Sequence, residues 1–233
     1  MEISNASTLL RQAGIVRNLT PNEHTAVARA AHLREVDCGE FFYRQGVTAD
    51  EVFVMNRGRL KLTQSTPEAR RVLLEFVGPG ELFGAAGSLE DHVYPTSAQA
   101  VLWCQAFAWS GNRMRQLMTS IPQIAVNILS EQAVRMRELQ NCYRELATER
   151  VERRVAHALG RLASQAGWKT EYGILIDMPL SHQDLAEMSG TTLYTVSRIL
   201  CGWKRGGLVD IGRQRVMVLQ PRTLLDIADT PDP

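Results

Sequence analysis

The sequence predicts an α+β chain of two modules. An antiparallel β-roll follows short leading helices, and one long helix then runs into a helical carboxyl-terminal module that ends in a small β ribbon. Three observations point there. Between Val36 and Trp109, β-branched and aromatic clusters are punctuated by glycines at 39, 46, 58, 78, 80, 84 and 87, the texture of short strands closing into a barrel or roll. From Pro122 no Gly or Pro intervenes until Gly160, which leaves room for an unbroken helix. Near the carboxyl end, two short amphipathic stretches flank Gly190.

A length of 233 residues suits two domains at roughly 100 to 150 residues each. The 45% hydrophobic and 22% charged fractions exclude a disordered or collagen-like chain. Lys and Arg number 26 against 25 Asp and Glu, so a surface for nucleic acid has to be local. The apolar run from Ala98 to Trp109 is broken by Gln99 and Gln105 and falls short of the roughly 20 residues of a membrane helix. The amino terminus lacks the basic-then-apolar succession of a secretory signal, so the expectation is a cytoplasmic protein with no membrane partner. Cys38, Cys104, Cys142 and Cys201 form no CxxC pair, and neither a disulfide framework nor a metal site is expected. GPGELFGAAG lacks the GK[ST] ending of a phosphate-binding loop and no nucleophile elbow appears, so no catalytic residues are assigned and an enzyme is not expected.

Taken in order, residues 1 to 35 place Leu9, Leu10 and Ile15, then Val27, Ala30 and Ala31, at helical spacing, with Pro21 after Thr20 marking a helix start. VFVMNRGRLKL alternates Val52 and Val54, then Leu60 and Leu62, about Asn-Arg-Gly and predicts a hairpin. RRVLLEF followed by VGPG predicts a strand stopped by a Pro-Gly turn. Within 122–148, Ala125, Leu129, Gln132, Met136, Leu139, Tyr143 and Leu146 recur at alternating steps of four and three, the seam of a coiled coil. At ~1.5 Å per residue this helix is ~40 Å long, more than a small domain needs. A parallel homodimer is the economical explanation; the competing one lays the helix on its own domain. Val151, Val155, Leu159 and Leu162 continue as an amphipathic helix that Gly167 and Gly173 interrupt. The chain thus divides into 1–121, leading helices and roll, 122–148, a dimerisation helix, and 149–233, the carboxyl-terminal module.

In SHQDLAEMSGTTLYTVSRILCGWKRGGLV, Ser181 and Asp184 form a capping-box pattern that starts a short helix with Leu185, Ala186 and Met188 inward. Gly190 suits a tight turn, and Thr191 or Thr192 caps a second helix with Val196, Ile199 and Leu200 inward. This is the helix-turn-helix of DNA-binding proteins. Leu193, Tyr194, Ser197 and Arg198 lie where base edges are reached, and Arg198 can donate two hydrogen bonds to guanine. Thr192, Thr195, His182 and Gln183 suit phosphate oxygens, as does Thr191. Between Thr191 and Arg222 the basic residues Arg198, Lys204, Arg205, Arg213, Arg215 and Arg222 face one acid, Asp210, so Lys204, Arg213 and Arg215 join the DNA-contact set. LVDIG-RQ-RVMVL reads as a two-stranded wing whose turn, 212–214, offers Arg213 to backbone phosphate.

Together these segments resemble the cyclic-AMP receptor and fumarate/nitrate reductase regulator (CRP/FNR) superfamily of bacterial transcription factors over nearly the whole chain. YRQGVTADEVFVMNRGRLKLTQ is similar to the start of the family's roll, GPGELFGAAGSL to its pocket turn, and the run from Asp184 to Arg198 to its DNA-reading motif. The resemblance implies a jelly-roll sensor of the cyclic-nucleotide-binding type over about 20–121, a dimer helix built on Leu129, Gln132, Met136, Leu139, Tyr143 and Leu146, and a winged helix-turn-helix. It implies a homodimer on a palindromic double-stranded operator, RNA polymerase as a further partner if the protein activates, and a small-molecule or redox signal. The implied effector pocket is Phe83, Gly84, Ala85, Ala86, Gly87, Ser88, His92, Thr96 and Ser97.

Two departures bear on the signal. Cyclic-AMP binders of the family have Glu after the Gly of the pocket turn and an Arg-Ser pair closing the pocket; here Ala85 follows Gly84, and Thr96 precedes Ser97. A buried phosphate would lack its bidentate cation, which argues against cyclic AMP. Iron-sulfur sensors need a close amino-terminal Cys cluster, and none precedes Cys38. Haem stays open through His92, with His24 and His32 ahead of the roll. Cys201 would sense oxidants if Lys204, Arg205 and DNA stabilised its thiolate, the alternative being an inert thiol. Tyr194 stands where members reading the commonest half-site carry Glu, so the operator is expected to differ. The alternative function is a signalling or adaptor subunit that binds a nucleotide or protein and never touches DNA.

Overall fold

The structure, a computed structural model, describes residues 10, 11, 13–68, 70–88, 92–212 and 215–230. Contacts divide the chain into two units, Met1–Arg70 with Leu74–Arg137, and Arg71–Leu73 with Glu138–Pro233.

The first unit opens with a 3-10 turn at Gly14–Val16 and helix α1 (Pro21–Arg29). Thr20 caps α1: its hydroxyl accepts from the Glu23 N–H, and the Glu23 carboxylate accepts from the Thr20 N–H at 2.7 Å. The helical spacing read over residues 1 to 35 ends sooner than expected. Strand β1 (His32–Val36) begins at His32 because each of its residues pairs with β8 (Cys104–Ser110), from His32 opposite Ala108 to Val36 opposite Cys104. Leu9 lies outside the described residues.

Strands β2 (Phe41–Tyr43), β3 (Glu51–Arg57), β4 (Leu60–Ser65), β5 (Arg71–Val77), β6 (Leu82–Phe83) and β7 (Ser97–Ala100) complete two antiparallel sheets, ordered β1-β8-β3-β6 and β2-β7-β4-β5. The hairpin expected at VFVMNRGRLKL is therefore not one. β3 pairs with β8 and β6 while β4 pairs with β7, and the turn at Gly58 carries the chain from one sheet to the other. Gly58 has φ +89°, and a Cβ there would lie 2.2 Å from the Trp103 carbonyl oxygen, so only glycine fits this corner.

The period-2 alternation in β3 and β8 is apolar on both sides, which explains why these strands sit centrally. Val52, Val54, Phe107 and Trp109 face a core shared with α1, α2 (Gly111–Ser120) and the start of α3 (Pro122–Thr148). Phe53, Met55, Ala106 and Ala108 face a second core with Phe42, Leu60, Leu62, Val77 and Ala98 of the other sheet. The Trp109 indole N–H donates to the Val27 carbonyl at 3.0 Å. Ile124 and Ile128 fasten α3 to the first core, and buried Asn127 donates to the carbonyls of Ile15 (2.9 Å) and Arg17 (2.8 Å).

In the second unit, α4 (Val151–Ala166) buries Val155, Ala156, Leu159 and Leu162. It is followed by β9 (Gly167–Thr170), β10 (Gly173–Ile176), α5 (His182–Ser189), α6 (Leu193–Arg205), β11 (Val209–Gly212), β12 (Arg215–Val218) and α7 (Pro221–Asp229). The expected two-stranded wing is half of a four-stranded antiparallel sheet, β11-β12-β10-β9, because β12 also pairs with β10. The last turn of α3 is tied to α4 through two buried acids. Glu145 accepts from Arg161 at 2.7 and 2.9 Å, and Glu149 lies 2.9 Å from Arg144 and 3.1 Å from His157.

Two glycine substitutions test this account. Gly58→Ala is expected to lower stability in urea unfolding by about 2 kcal/mol or more, through strain and overlap at the corner. Gly160→Ala, on α4 with nothing within 4 Å of its would-be Cβ, is expected to raise it by up to about 1 kcal/mol.

Candidate nucleic-acid interface

The helix pair around Gly190 is built by local hydrogen bonds. Ser181 caps α5: its hydroxyl accepts from the Asp184 N–H at 3.0 Å and the Asp184 carboxylate accepts from the Ser181 N–H at 3.0 Å. Gly190 then takes the left-handed conformation (φ 59°, ψ 44°) and donates to the Ala186 carbonyl, as does Thr191 at 3.0 Å. A Cβ at Gly190 would come within 2.6 Å of Leu146 Cδ2, so the turn is closed on that side. Arg154, on α4, donates to the carbonyls of Ser189 (2.9 Å) and Gly190 (3.3 Å), placing a cation at the carboxyl end of α5. Nothing in the sequence singles out Arg154, since its partners are backbone atoms 35 and 36 positions away.

Thr192 caps α6, its hydroxyl accepting from the Thr195 N–H at 3.2 Å. Val196, Leu200 and Trp203 are buried, and the Trp203 indole donates to Glu152 at 2.9 Å. Anchoring that face leaves the other to solvent. Leu193 and Arg198 are exposed, Tyr194 is 75% exposed, and Ser197 is half-buried. Tyr194 and Arg198 stand four residues apart and share a face. No acid lies in the first turn of α6, so its amino-terminal dipole is open to an anion.

Several residues expected to bond phosphate have partners within the chain. The Thr192 and Thr195 hydroxyls lie 3.0 Å apart, and the Gln183 amide donates to Glu187 at 3.0 Å. Lys204 is 3.0 Å from Asp210 and donates to the Ile211 carbonyl at 2.9 Å, pinning the end of α6 to the wing instead of standing as a free cation. That hydrogen bond with Lys204 holds the Asp210 carboxyl below the usual aspartate range. His182 and Thr191 are half-buried, Arg215 is exposed on β12, and Arg213 lies outside the described residues. Cys201 is exposed on α6.

In the roll, the residues read as an effector pocket are unevenly placed, Phe83 lying in an aromatic cluster. Phe83 stacks on Phe53 at 4.9 Å between ring centroids, Tyr43 stacks on Tyr94 at 3.7 Å, and Phe42 meets Phe53 and Phe83 edge-on. Burial pushes the Tyr43 phenol above the usual tyrosine range, against a hydrogen bond shared with Thr96. Ser97 accepts from the Gln45 N–H at 2.9 Å, and the Ser88 and Tyr94 hydroxyls both donate to the Glu51 carbonyl. Ala85 faces the first core. Gly84 (φ +78°) and Gly87 are hemmed in by the backbone at Glu51 and Val93, whereas Ala86 and His92 are exposed. Of the other histidines, His32 lies 2.8 Å from Glu51, and burial lowers the pKa of His24.

Along α3 the seam positions Leu129, Met136, Leu139, Tyr143 and Leu146 are exposed in the single chain, Leu129 at 69% and Tyr143 at 76%, while Gln132 is half-buried. No described helix is long and apolar enough to cross a membrane, and no group of three or more described His, Cys, Asp or Glu residues is placed to hold a metal ion.

Comparison with known proteins agrees with this architecture. Residues 33–120 match the profile of the cyclic nucleotide-binding domain, and 153–227 match the Crp-like helix-turn-helix domain. The Cyclic AMP receptor protein of Thermus thermophilus is 27% identical over 219 residues, 94% of this chain and 98% of that one. The chain belongs to the CRP/FNR superfamily. A second relative, the CRP-like cAMP-activated global transcriptional regulator of Mycobacterium tuberculosis, is 22% identical across 90% of this chain and 94% of its own. The solved structure of FixK2 from Bradyrhizobium japonicum shares the fold, with a TM-score of 0.76 at 20% identity over 87% of this chain and 99% of that one. This CRP/FNR protein is a DNA-binding transcriptional regulator and not an enzyme, and regulators of the family typically act as dimers. The adaptor reading is not favoured.

Arg154→Met is expected to lower unfolding stability by about 1 to 2 kcal/mol, because it strips two carbonyls at the helix-turn-helix corner of a charged donor. Denaturant unfolding of the two proteins side by side measures the difference.

Proposed function

We propose that this regulator reads a palindromic operator as a homodimer through α6, and that the signal controlling it is not a cyclic nucleotide. The exposed face of α6, with Tyr194 and Arg198 on a helix whose opposite face is locked by Val196, Leu200 and Trp203, carries the reading. Arg198 is suited to guanine O6 and N7, a pairing worth ~1 to 3 kcal/mol of discrimination, and Tyr194 to a thymine methyl or a phosphate. Arg215 on the wing and the acid-free first turn of α6 favour the backbone. A twofold pair of such helices requires half-site centres about 34 to 36 Å apart.

The apolar seam supports the homodimer. Leu129, Met136, Leu139 and Tyr143 would stay in water in a single chain, and a twin helix buries them at once. Leu146, at the end of that seam, abuts the Gly190 turn, which offers a route from helix packing to the DNA-reading unit. Signal binding near residues 83–97 would shift packing along Met136, Leu139 and Tyr143 and so change half-site spacing.

The reading against cyclic nucleotides rests on what fills the roll. The Tyr43–Tyr94 and Phe53–Phe83 stacks take up its interior, and Thr96, where the family's phosphate-binding Arg would stand, bonds Tyr43. His32 is paired with Glu51 and His92 is exposed, neither of which favours a haem ligand. RNA polymerase would be a further partner if the protein activates.

Arg198→Ala is expected to weaken operator binding about 10-fold or more and to flatten the preference among half-sites, whereas Arg215→Ala should weaken all duplexes alike and reduce the salt slope by about 1. Fluorescence anisotropy against salt separates the two. Leu139→Glu should yield monomers in analytical ultracentrifugation and abolish operator binding; a retained dimer with unchanged affinity would rule out the proposed route. Titration calorimetry with cyclic AMP and cyclic GMP should show no binding, and micromolar binding of either would overturn the reading of the roll.

A further inference from the structure

The fold brings two sequence-distant cysteines to one turn. The β1–β8 ladder sets Val36 opposite Cys104, and Cys38 follows Val36 by two residues. Beyond β1 the chain turns at 37–40, closed by the Glu40 N–H on the Asp37 carbonyl (3.0 Å) and held to β7 by the Gly39 N–H on the Ala100 carbonyl (2.9 Å). There the Cys38 thiol donates to the Val101 carbonyl at 3.3 Å. The Cys104 thiol donates to the next carbonyl, Leu102, at 3.3 Å, and to that of Arg59 at 3.1 Å. Both sulfurs thus end on successive carbonyls of a turn that is itself fixed by the Val101 N–H on the Arg59 carbonyl at 2.9 Å.

Their surroundings differ. Cys38 is exposed and open to reagents, whereas Cys104 is fully buried. Burial pushes the Cys104 thiol up to about 11, and Cys38 adds to the rise. One thiol is therefore placed to meet an oxidant, and the other is shielded from direct oxidation until Cys38 has reacted.

We propose that Cys38 and Cys104 are a redox site that closes to an intramolecular disulfide on reaction with a hydroperoxide. The Cys38 thiolate attacks the peroxide oxygen; the O–O bond breaks, an alkoxide or hydroxide leaves, and Cys38 becomes a sulfenic acid. The Cys104 sulfur then attacks that of Cys38, the S–O bond breaks, and the Cys104 proton departs with the hydroxyl as water. Two thiols give up two electrons, and the peroxide accepts both. A disulfide needs Cα atoms about 4.4 to 6.8 Å apart, and Cys38 sits in the turn just beyond the ladder, so closure requires the 37–40 turn to seat it within that reach of the first residue of β8. Open space around Gly39, where a Cβ would meet nothing within 4 Å, permits this. The bond would clamp the corner between β1 and β2 to the start of β8.

The test uses the full-length dithiothreitol-reduced protein, treated with one equivalent of hydrogen peroxide, denatured, alkylated with iodoacetamide and mapped by mass spectrometry. The expected result is a peptide cross-linking Cys38 to Cys104, lighter by two hydrogens and reversed by dithiothreitol, with alkylatable thiols falling from four to two. Cys104→Ala should leave Cys38 as a sulfenic acid that dimedone traps, and Cys38→Ser should leave Cys104 reduced. Both cysteines remaining alkylatable while Cys201 or Cys142 oxidises, or a disulfide joining two chains through Cys38, would overturn the proposal. The mapping of the wild-type protein requires no variant to fold, and it reads the bond directly, independently of DNA binding.

Discussion

The left-handed turn at Gly190 is the constraint on which DNA reading depends. Two short helices can present one of their number to a groove only if the chain reverses in a few residues, and that reversal needs positive φ with no Cβ. The structure surrounds the turn with fixed partners: the Ala186 carbonyl takes two N–H groups, Arg154 satisfies the carbonyls of Ser189 and Gly190, and Leu146 closes the remaining side. With the turn settled, Trp203 and Leu200 orient α6, and the exposure of Tyr194 and Arg198 follows. The pairing of Lys204 with Asp210 belongs to the same scaffold, since it ties the far end of α6 to the wing.

A comparable logic orders the roll. The sheet β1-β8-β3-β6 is buried on both faces, so its central strands carry apolar residues at positions where an ordinary edge sheet would alternate. One face holds the leading segment and the start of α3, with Asn127 as the polar fastener; the other faces the aromatic stack. The strands that build the roll therefore also seat the long helix.

Much of this is legible in the sequence, and the failures have physical causes. Caps and turns that depend on a few neighbouring residues agree with the structure: Thr20 before Pro21, Ser181 with Asp184, the glycine at 190 and the start of α6 after Thr192. Pairing between distant segments does not. Val52 and Val54 followed by Leu60 and Leu62 look like a hairpin because local alternation says which faces are apolar, not which strand lies alongside; only the clash at Gly58 reveals a corner. The strands β9 and β10 escape notice because four-residue segments led by glycine carry almost no periodic signal. For the interface, the exposed face of α6 is legible from its spacing, yet Lys204, Thr195 and Gln183 look like free donors because their partners come from the wing or from neighbouring side chains. Arg154 leaves no trace at all, since a bond to a backbone carbonyl imposes no residue type on its partner.

The stacked rings between the two sheets carry a thermodynamic consequence. An interior whose volume is already taken up by Phe42, Tyr43, Phe53, Phe83 and Tyr94 offers an incoming molecule little fresh burial. An effector entering between these rings would have to displace aromatic neighbours from one another, and its affinity would be set by the difference between two packed states.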